Sequence, residues 1–277
     1  MPPAIRVFLL ALGVTLGSLL LLAGILHLIP KLGPAGRRLA AALCRAPWLD
    51  LPITIFTALP MILGPIWGGW VGLAGAVAGQ VLTVSVWTVL HELANREHVK
   101  GPRIVQVLNR AVGRWRNHTA VWWTALAVPI FFVIRVGEYV IYPPLTWLVR
   151  LPRYDHAEWV NVSRQKFRGL VGHDLIWCLY CDWMTGVWSL GSEMLRNVES
   201  FWCPIRFDSS KKCDNCKIDF PDVAGGWAPA DSDIARAAGV VEAMYPKGAK
   251  VNAWFGHPAR LTVGGREVPV EPAARPD

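Results

Sequence analysis

The stretch from Leu51 to Leu90 contains no charged residue. As one straight helix it would be about 60 Å long, twice the roughly 30 Å hydrocarbon core of a bilayer. Its composition predicts a membrane location, and its length predicts that the chain folds back within it. The turn is expected in Gly64–Trp70 (GPIWGGW), where glycine and proline favour it. The second limb, roughly 68–90, is predicted to span, whereas Pro52 and Pro60 make the first limb short, kinked or re-entrant.

Two further segments are long and apolar enough to cross a membrane. Val7–Ile29 reaches about 34 Å, and no A-x-A cleavage site precedes the basic stretch after it, which favours an uncleaved span over a signal peptide. Thr119–Val149 is interrupted by Arg135 and Glu138, which are spaced to pair on one helix face. It is either one long span or a helical hairpin that turns at RVGE. The sequence predicts an α-helical polytopic membrane protein with three to four membrane segments.

Composition supports the membrane assignment. Of the 277 residues, 53% are hydrophobic and 17% charged, compared with roughly 25% charged in soluble domains. The chain has 15 tryptophans, and tryptophan favours the headgroup level of a bilayer. We interpret the net charge of +8 as loops facing an anionic leaflet, which argues against nucleic acid as the partner.

Basic residues predict the topology. They follow both the first span and the hairpin, at Lys31, Arg37, Arg38 and Arg45, and at Arg96, Lys100, Arg103, Arg110, Arg114 and Arg116. Both loops are therefore expected in the cytoplasm, with the amino terminus outside. For the C-terminal part of this expected multi-pass cell-membrane protein, a single crossing of Thr119–Val149 predicts a location outside, whereas a hairpin predicts the cytoplasm. A further basic cluster, Arg150 to Arg168, favours the cytoplasm.

The segment near 99–117 has the pattern of a basic amphipathic helix. Apolar residues recur at helical spacing on one face, namely Ile104, Leu108, Ala111, Val112 and Trp115. Arg103, Arg110 and Arg114 fall on another face. This pattern predicts either a helix lying on a bilayer with anionic headgroups or a packed helix with a solvated face.

Five of the six cysteines lie between Trp177 and Cys216. Cys178 and Cys181 form one Cys-x-x-Cys pair, and Cys213 and Cys216 form a second. Two such pairs complete a four-sulfur shell for Zn or hold an Fe–S cluster, so these four residues are the predicted metal ligands. Cys203 is a possible further ligand, and Cys44, far away in the sequence, is expected to be inert.

Other interpretations of the same residues remain open. The two pairs fit a membrane thiol–disulfide oxidoreductase, in which one dithiol passes electrons to the other. Cys178, Cys181 and Cys203 also fit small buried hydrophobic residues. A third alternative is a membrane metalloenzyme around His91 and His98, which are two helical turns apart. A fourth is an assembly or scaffold protein whose tryptophans bury against a membrane protein partner.

The composition divides the chain into three parts. These are a membrane domain (1–150), a cysteine-rich module (151–222) and a small α+β tail with a disordered end (223–277). Within the module, Asp182–Ser200 is predicted to be an amphipathic helix buried through Trp183, Val187, Leu190, Met194, Leu195 and Val198. Directly before the first pair, His173 is either a metal ligand or a base that lowers the pKa of a thiol. Alternatively, His173 and Asp174 are only the polar start of a helix. In the tail, we expect a short helix capped by Asp231 or Ser232, a strand over 249–255 and a hairpin at Gly264-Gly265.

Overall fold

The computed structural model describes residues 1–203, 205, 228–229, 232–244, 247–248, 262–263 and 266–267. Its α-helices are α1 (Pro3–Leu28), α2 (Gly33–Ala42), α3 (Asp50–Phe56), α4 (Ala58–Ala94), α5 (Arg96–Val99), α6 (Ile104–Val112), α7 (Arg114–Ala125), α8 (Val128–Val136), α9 (Tyr142–Leu148), α10 (His156–Trp159), α11 (Gly172–Trp202) and α12 (Ile234–Met244). A π-helix covers Gly137–Ile141, and 3₁₀ turns cover Ile29–Lys31 and Arg164–Lys166. The strands are β1 (Thr262–Val263) and β2 (Arg266–Glu267).

Three helical segments in the described residues are long and apolar enough to cross a membrane. They are Pro3–Lys31, Asp50–Ala94 and Arg114–Leu148. All three coincide with the segments that the sequence predicts. The described residues are thus predominantly helical and include three segments that could cross a membrane by their length and composition.

The Asp50–Ala94 segment folds back on itself, as predicted. Gly68 and Gly69 leave helical geometry inside α4, and Gly69 takes φ +57°, a conformation that glycine adopts without strain. Beyond this turn Gly72 packs against Gly64. Further along, the side-chain amide of Gln80 donates hydrogen bonds to the carbonyls of Phe56 (2.8 Å) and Thr57 (2.7 Å). The two limbs are therefore antiparallel.

Helix α1 packs against the second limb of this hairpin through small residues. Gly75 meets the backbone of Phe8, and Gly79 lies against Leu12 and Thr15. Such residues let two helices approach closely inside a bilayer, where apolar side chains gain little from leaving lipid. The contacts advance along both helices together, so α1 and the second limb run parallel. The basic loops that follow them consequently leave the pair at the same end.

The Arg114–Leu148 segment does not turn back at RVGE. Helix α8 continues through the π-helix into α9, so the hairpin alternative for this position is wrong. Arg135 and Glu138 form the predicted ion pair, and both side chains are buried. The π-helix begins at Gly137 and includes Glu138. The break in regular helix lies instead between α7 and α8, at Leu126–Ala127.

Helix α11 is longer than predicted, because it begins at Gly172 rather than at Asp182. Its predicted apolar face is buried at Trp183, Val187, Leu190 and Met194, but the prediction is wrong for Leu195, which is 64% exposed. Polar side chains are buried near that position instead, namely Glu193, Arg196 and Asn197. These find partners within the fold: Glu193 pairs with Arg196 and accepts a hydrogen bond from the Tyr154 hydroxyl.

The tail contains the predicted helix and one pair of strands. Helix α12 is capped by Asp233, whose carboxylate accepts the Arg236 N–H at 2.9 Å, so the cap is not at Asp231 or Ser232 as predicted. Strands β1 and β2 pair antiparallel, with Val263 opposite Arg266. The predicted strand 249–255 and the predicted turn at Gly264-Gly265 lie outside the described residues.

The chain divides into two compact units, each built from two segments. One unit consists of residues 1–132 and 159–187, and the other of residues 133–158 and 188–277. The boundaries expected at 150 and 222 were drawn from composition and stay predictions.

Candidate functional site

Cys178 and Cys181 lie inside α11, one helical turn apart. Both are separate thiols and partly buried. Residues three apart on a helix project from the same face, so the two sulfurs point to one side. The Cys181 sulfur is 3.9 Å from the hydroxyl of Thr185, on the next turn. We call Cys178 and Cys181 the thiol pair.

The loop before α11 places a cation beside the thiol pair. Arg164 pairs with Asp182 at 2.8 Å, while the backbone N–H groups of Ser163 and Arg164 donate to the other carboxylate oxygen. A hydrogen bond with Cys178 is the largest cause of a raised pKa of Arg164, ahead of desolvation, which opposes it, and of the Asp182 charge. Asp182 thus holds the Arg164 guanidinium beside the thiol pair.

Cys44 lies next to the same loop. Its carbonyl accepts the Val162 N–H at 2.9 Å, and its sulfur is 3.1 Å from the side-chain amide of Gln165. Burial raises the pKa of the Cys44 thiol, although the charges of Lys166 and Arg45 oppose this. Cys44 therefore favours its protonated thiol form, whereas a metal is bound by the thiolate.

The other predicted ligands are not placed with the thiol pair. Cys213 and Cys216 lie outside the described residues. Cys203 directly follows the last residue of α11, whereas the thiol pair lies in the first third of that helix, with 21 helical residues, or about 30 Å of helix, between Cys181 and Cys203. Among the described residues, no group of three or more His, Cys, Asp or Glu side chains is arranged to hold a metal ion.

A buried ion network joins three distant parts of the sequence. Arg103 pairs with Glu92 at the end of α4 and with Asp174 in the first turn of α11, both at 2.8 Å. Arg103 is 5% exposed, so its prediction as part of an outward basic face is wrong. The amphipathic helix is also shorter than predicted, since it ends at Val112 before Gly113. We call Glu92, Arg103 and Asp174 the ion triad.

The ion triad also fixes the start of α6. One Asp174 oxygen accepts a hydrogen bond from Arg103, and the other accepts the Val105 N–H at 3.0 Å. The carboxylate thereby caps α6 from another helix, because the first N–H groups of a helix have no partner within it. Burial alone would raise the pKa of Asp174, but nearby His173, Arg103 and the Val105 N–H lower it below its usual range. Burial likewise opposes ionisation of Arg103, yet its bonds to Asp174 and Glu92 raise its pKa.

The first residues of α11 contact the end of α4 directly. The Gly172 N–H donates to His91 Nδ1 at 3.1 Å, and the His173 N–H donates to Glu92 Oε1 at 3.2 Å. Gly172 takes φ +54°, and a Cβ there would collide with the Glu92 carboxylate. A glycine is needed at this position for both reasons.

The sequence proposal of a metalloenzyme around His91 and His98 receives no support. Helix α4 ends at Ala94, and Asn95 breaks the helix before α5, so the two histidines do not share the face of one helix. His91 accepts the Gly172 N–H and its ring stacks on Trp87, with centroids 4.7 Å apart. His98 is exposed.

No protein-family model, curated protein or solved structure matches the chain. Three features of the described residues bear on function. They are the thiol pair on one face of α11, the Arg164 guanidinium beside it, and the ion triad that holds the start of α11 in place.

Proposed function

We propose that the chain is a multi-pass cell-membrane protein with a metal-binding, cysteine-rich helical module and a small α+β appendage. A structural Zn ion or an Fe–S cluster would be held by Cys178, Cys181, Cys213 and Cys216. The observation that supports this best is the thiol pair, because two sulfurs on one face of a helix are half of a four-sulfur shell.

Two features of the surroundings suit the thiol pair to metal binding. The pair lies one to two turns beyond Asp174, so the ion triad holds this part of α11 in place before any metal binds. The Arg164 guanidinium, held by Asp182, lies beside the pair and would balance part of the negative charge of a metal site with sulfur ligands. We leave Cys203 out of the proposed ligand set because of its distance along α11.

The second candidate is a membrane thiol–disulfide oxidoreductase that uses the same residues. Both candidates use the same two sulfurs and the guanidinium beside them, so metal content and the oxidation state of the thiols distinguish the two candidates.

Metal analysis of the detergent-purified chain, with thiol counting on the same sample, tests the proposal. We expect about one Zn ion or one Fe–S cluster per chain. Cys178→Ser and Cys213→Ser should each lose the metal and expose the module to protease, because metal affinity is coupled to folding. Cys44→Ser is the matched control and should retain the metal.

Two results would overturn the metal assignment. One is a purified chain that carries no metal and contains a Cys178–Cys181 or Cys213–Cys216 disulfide that exchanges with small thiols. That result would establish the oxidoreductase candidate instead. The other is a metal content that neither Cys178→Ser nor Cys213→Ser reduces.

A further inference from the structure

Helix α6 has an apolar face whose large side chains are about half exposed. Ile104, Val107 and Val112 are each at least 50% exposed, and Leu108 is 43% exposed. These four residues fall on one side of the helix, because Val107 and Leu108 are three and four positions after Ile104, and Val112 is four positions after Leu108. The helix contacts its surroundings through the opposite edge, where the Asn109 side chain accepts a hydrogen bond from Asn117.

Exposed basic and aromatic residues accompany this apolar face. Arg110 lies on the opposite side of α6 and is exposed, as are Arg114 and Arg116 at the start of α7, directly after the Gly113 turn. Trp115, between these two arginines, is 81% exposed. An apolar face with arginine on the opposite side and tryptophan just after the helix matches a helix that lies in the plane of a membrane interface. The positive charge is complementary to anionic lipid headgroups.

The ion triad sets the depth at which α6 lies. Arg103, the residue immediately before the helix, is bonded to Glu92, in the last turn of the candidate span Asp50–Ala94. Asp174 caps the Val105 N–H of the first turn. The start of α6 is therefore fixed at the level where that span leaves the hydrocarbon core.

We propose that α6 is an interfacial helix that binds an anionic leaflet. Its apolar face enters the boundary of the acyl chains, and Arg110, Arg114 and Arg116 contact lipid phosphate groups. The ion triad holds the helix in this orientation, and this role of Arg103 explains why it is buried rather than facing lipid. The inference does not depend on the metal site.

Collision measurements on spin-labelled full-length chain in lipid nanodiscs test this inference. Val107→Cys places a nitroxide on the apolar face, and Gln106→Cys places one on the polar side as a matched control. The labelled wild-type chain supplies the background from native cysteines. In nanodiscs with about 30% phosphatidylglycerol, we expect oxygen to reach the Val107 label and water-soluble nickel to reach the Gln106 label.

Charge dependence separates this inference from simple exposure of an apolar face. In nanodiscs of phosphatidylcholine alone, the preference of the Val107 label for oxygen should decrease severalfold. Replacing Arg110, Arg114 and Arg116 by glutamine should cause the same decrease in anionic nanodiscs. Three results would overturn the proposal: nickel access at Val107, equal behaviour in both lipids, or exclusion of both reagents in a particle that light scattering shows to hold two chains.

Discussion

Asp174 connects three parts of the fold through one carboxylate. It holds Arg103, caps α6 and lies one turn before Cys178. Removing one partner of a buried ion pair leaves the other charge with less compensation. The resulting loss of folding free energy is larger than the net stabilisation that the intact pair contributes. The effect of Asp174 on stability should therefore be large for a single side chain.

We expect Asp174→Asn to lower the free energy of unfolding by about 3 kcal/mol, because the buried Arg103 loses one of its two charged partners and keeps only the partly exposed Glu92. The change should appear as a lower Tm in detergent and as faster proteolysis of the loop between α5 and α6. Glu97→Gln removes an exposed carboxylate nearby and should leave the Tm unchanged. Equal Tm values for the two variants would contradict the role assigned to Asp174.

Acid should weaken the same site. The pKa of Asp174 in the folded chain is below its unfolded value of about 4. A depressed pKa means that the carboxylate stabilises the fold fully above about pH 4, and that this stabilisation is lost as the pH falls through the folded pKa. Between about pH 5 and pH 3, the wild-type Tm should fall more steeply than the Asp174→Asn Tm. Parallel curves would show that Asp174 does not contribute.

At the level of elements, the contact between α1 and α4 depends on close approach at glycine. A Cβ added at Gly79 would lie 2.8 Å from Thr15 Cβ and 2.9 Å from the Leu12 carbonyl oxygen, whereas one added at Gly17 meets nothing within 4 Å. Gly79→Ala should destabilise the chain by about 1 to 3 kcal/mol through overpacking.

Gly17→Ala is the control for this prediction. It adds the same methyl group to a membrane helix in open space and should leave the Tm unchanged or raise it, because alanine favours helix. Thermal unfolding of both variants in the same detergent provides the comparison. A Gly79→Ala chain as stable as Gly17→Ala would show that α1 does not pack on α4 through this residue.

The elements that the sequence predicts well are those with local signals. The turn within α4 follows from glycines in an uncharged stretch too long for one crossing, and the buried face of α11 follows from helical spacing. The ion triad has no such signal, because Arg103 and Asp174 are 71 residues apart. Arg103 has the spacing of a surface residue on an amphipathic helix, and only the tertiary fold gives it a buried partner.

The start of α11 shows the same limit. His173 and Asp174 are a polar pair at a helix start, a pattern that many solvent-exposed helices share. Their contacts with Glu92 and Val105 depend on how the loop before α11 returns to the end of α4. Helical periodicity does not show where that loop returns, so the partners of His173 and Asp174 could not be predicted from the sequence.

For the whole molecule, the parallel packing of α1 on the second limb of α4 has a consequence for topology. Both helices end on the same side, and each is followed by a basic loop. Excess Lys and Arg mark cytoplasmic loops, so the two loops and the amino terminus should lie on opposite sides of the membrane. The basic residues from Arg150 to Arg168 predict a cytoplasmic C-terminal part as well. Because Arg114–Leu148 does not turn back at RVGE, this prediction requires that the segment does not carry the chain across the membrane.

Reporter fusions test this topology directly. Fusions after Lys100, after Pro152 and at the carboxyl end should all report a cytoplasmic location, and an amino-terminal tag should be accessible from outside. The Lys100 fusion is the internal reference, because Lys100 lies in the basic loop that follows the second limb of α4. Cytoplasmic signal at Lys100 with external signal at Pro152 and the carboxyl end would mean that Arg114–Leu148 carries the cysteines across. The thiols would then lie in an oxidising compartment, where disulfide chemistry is favoured over metal binding.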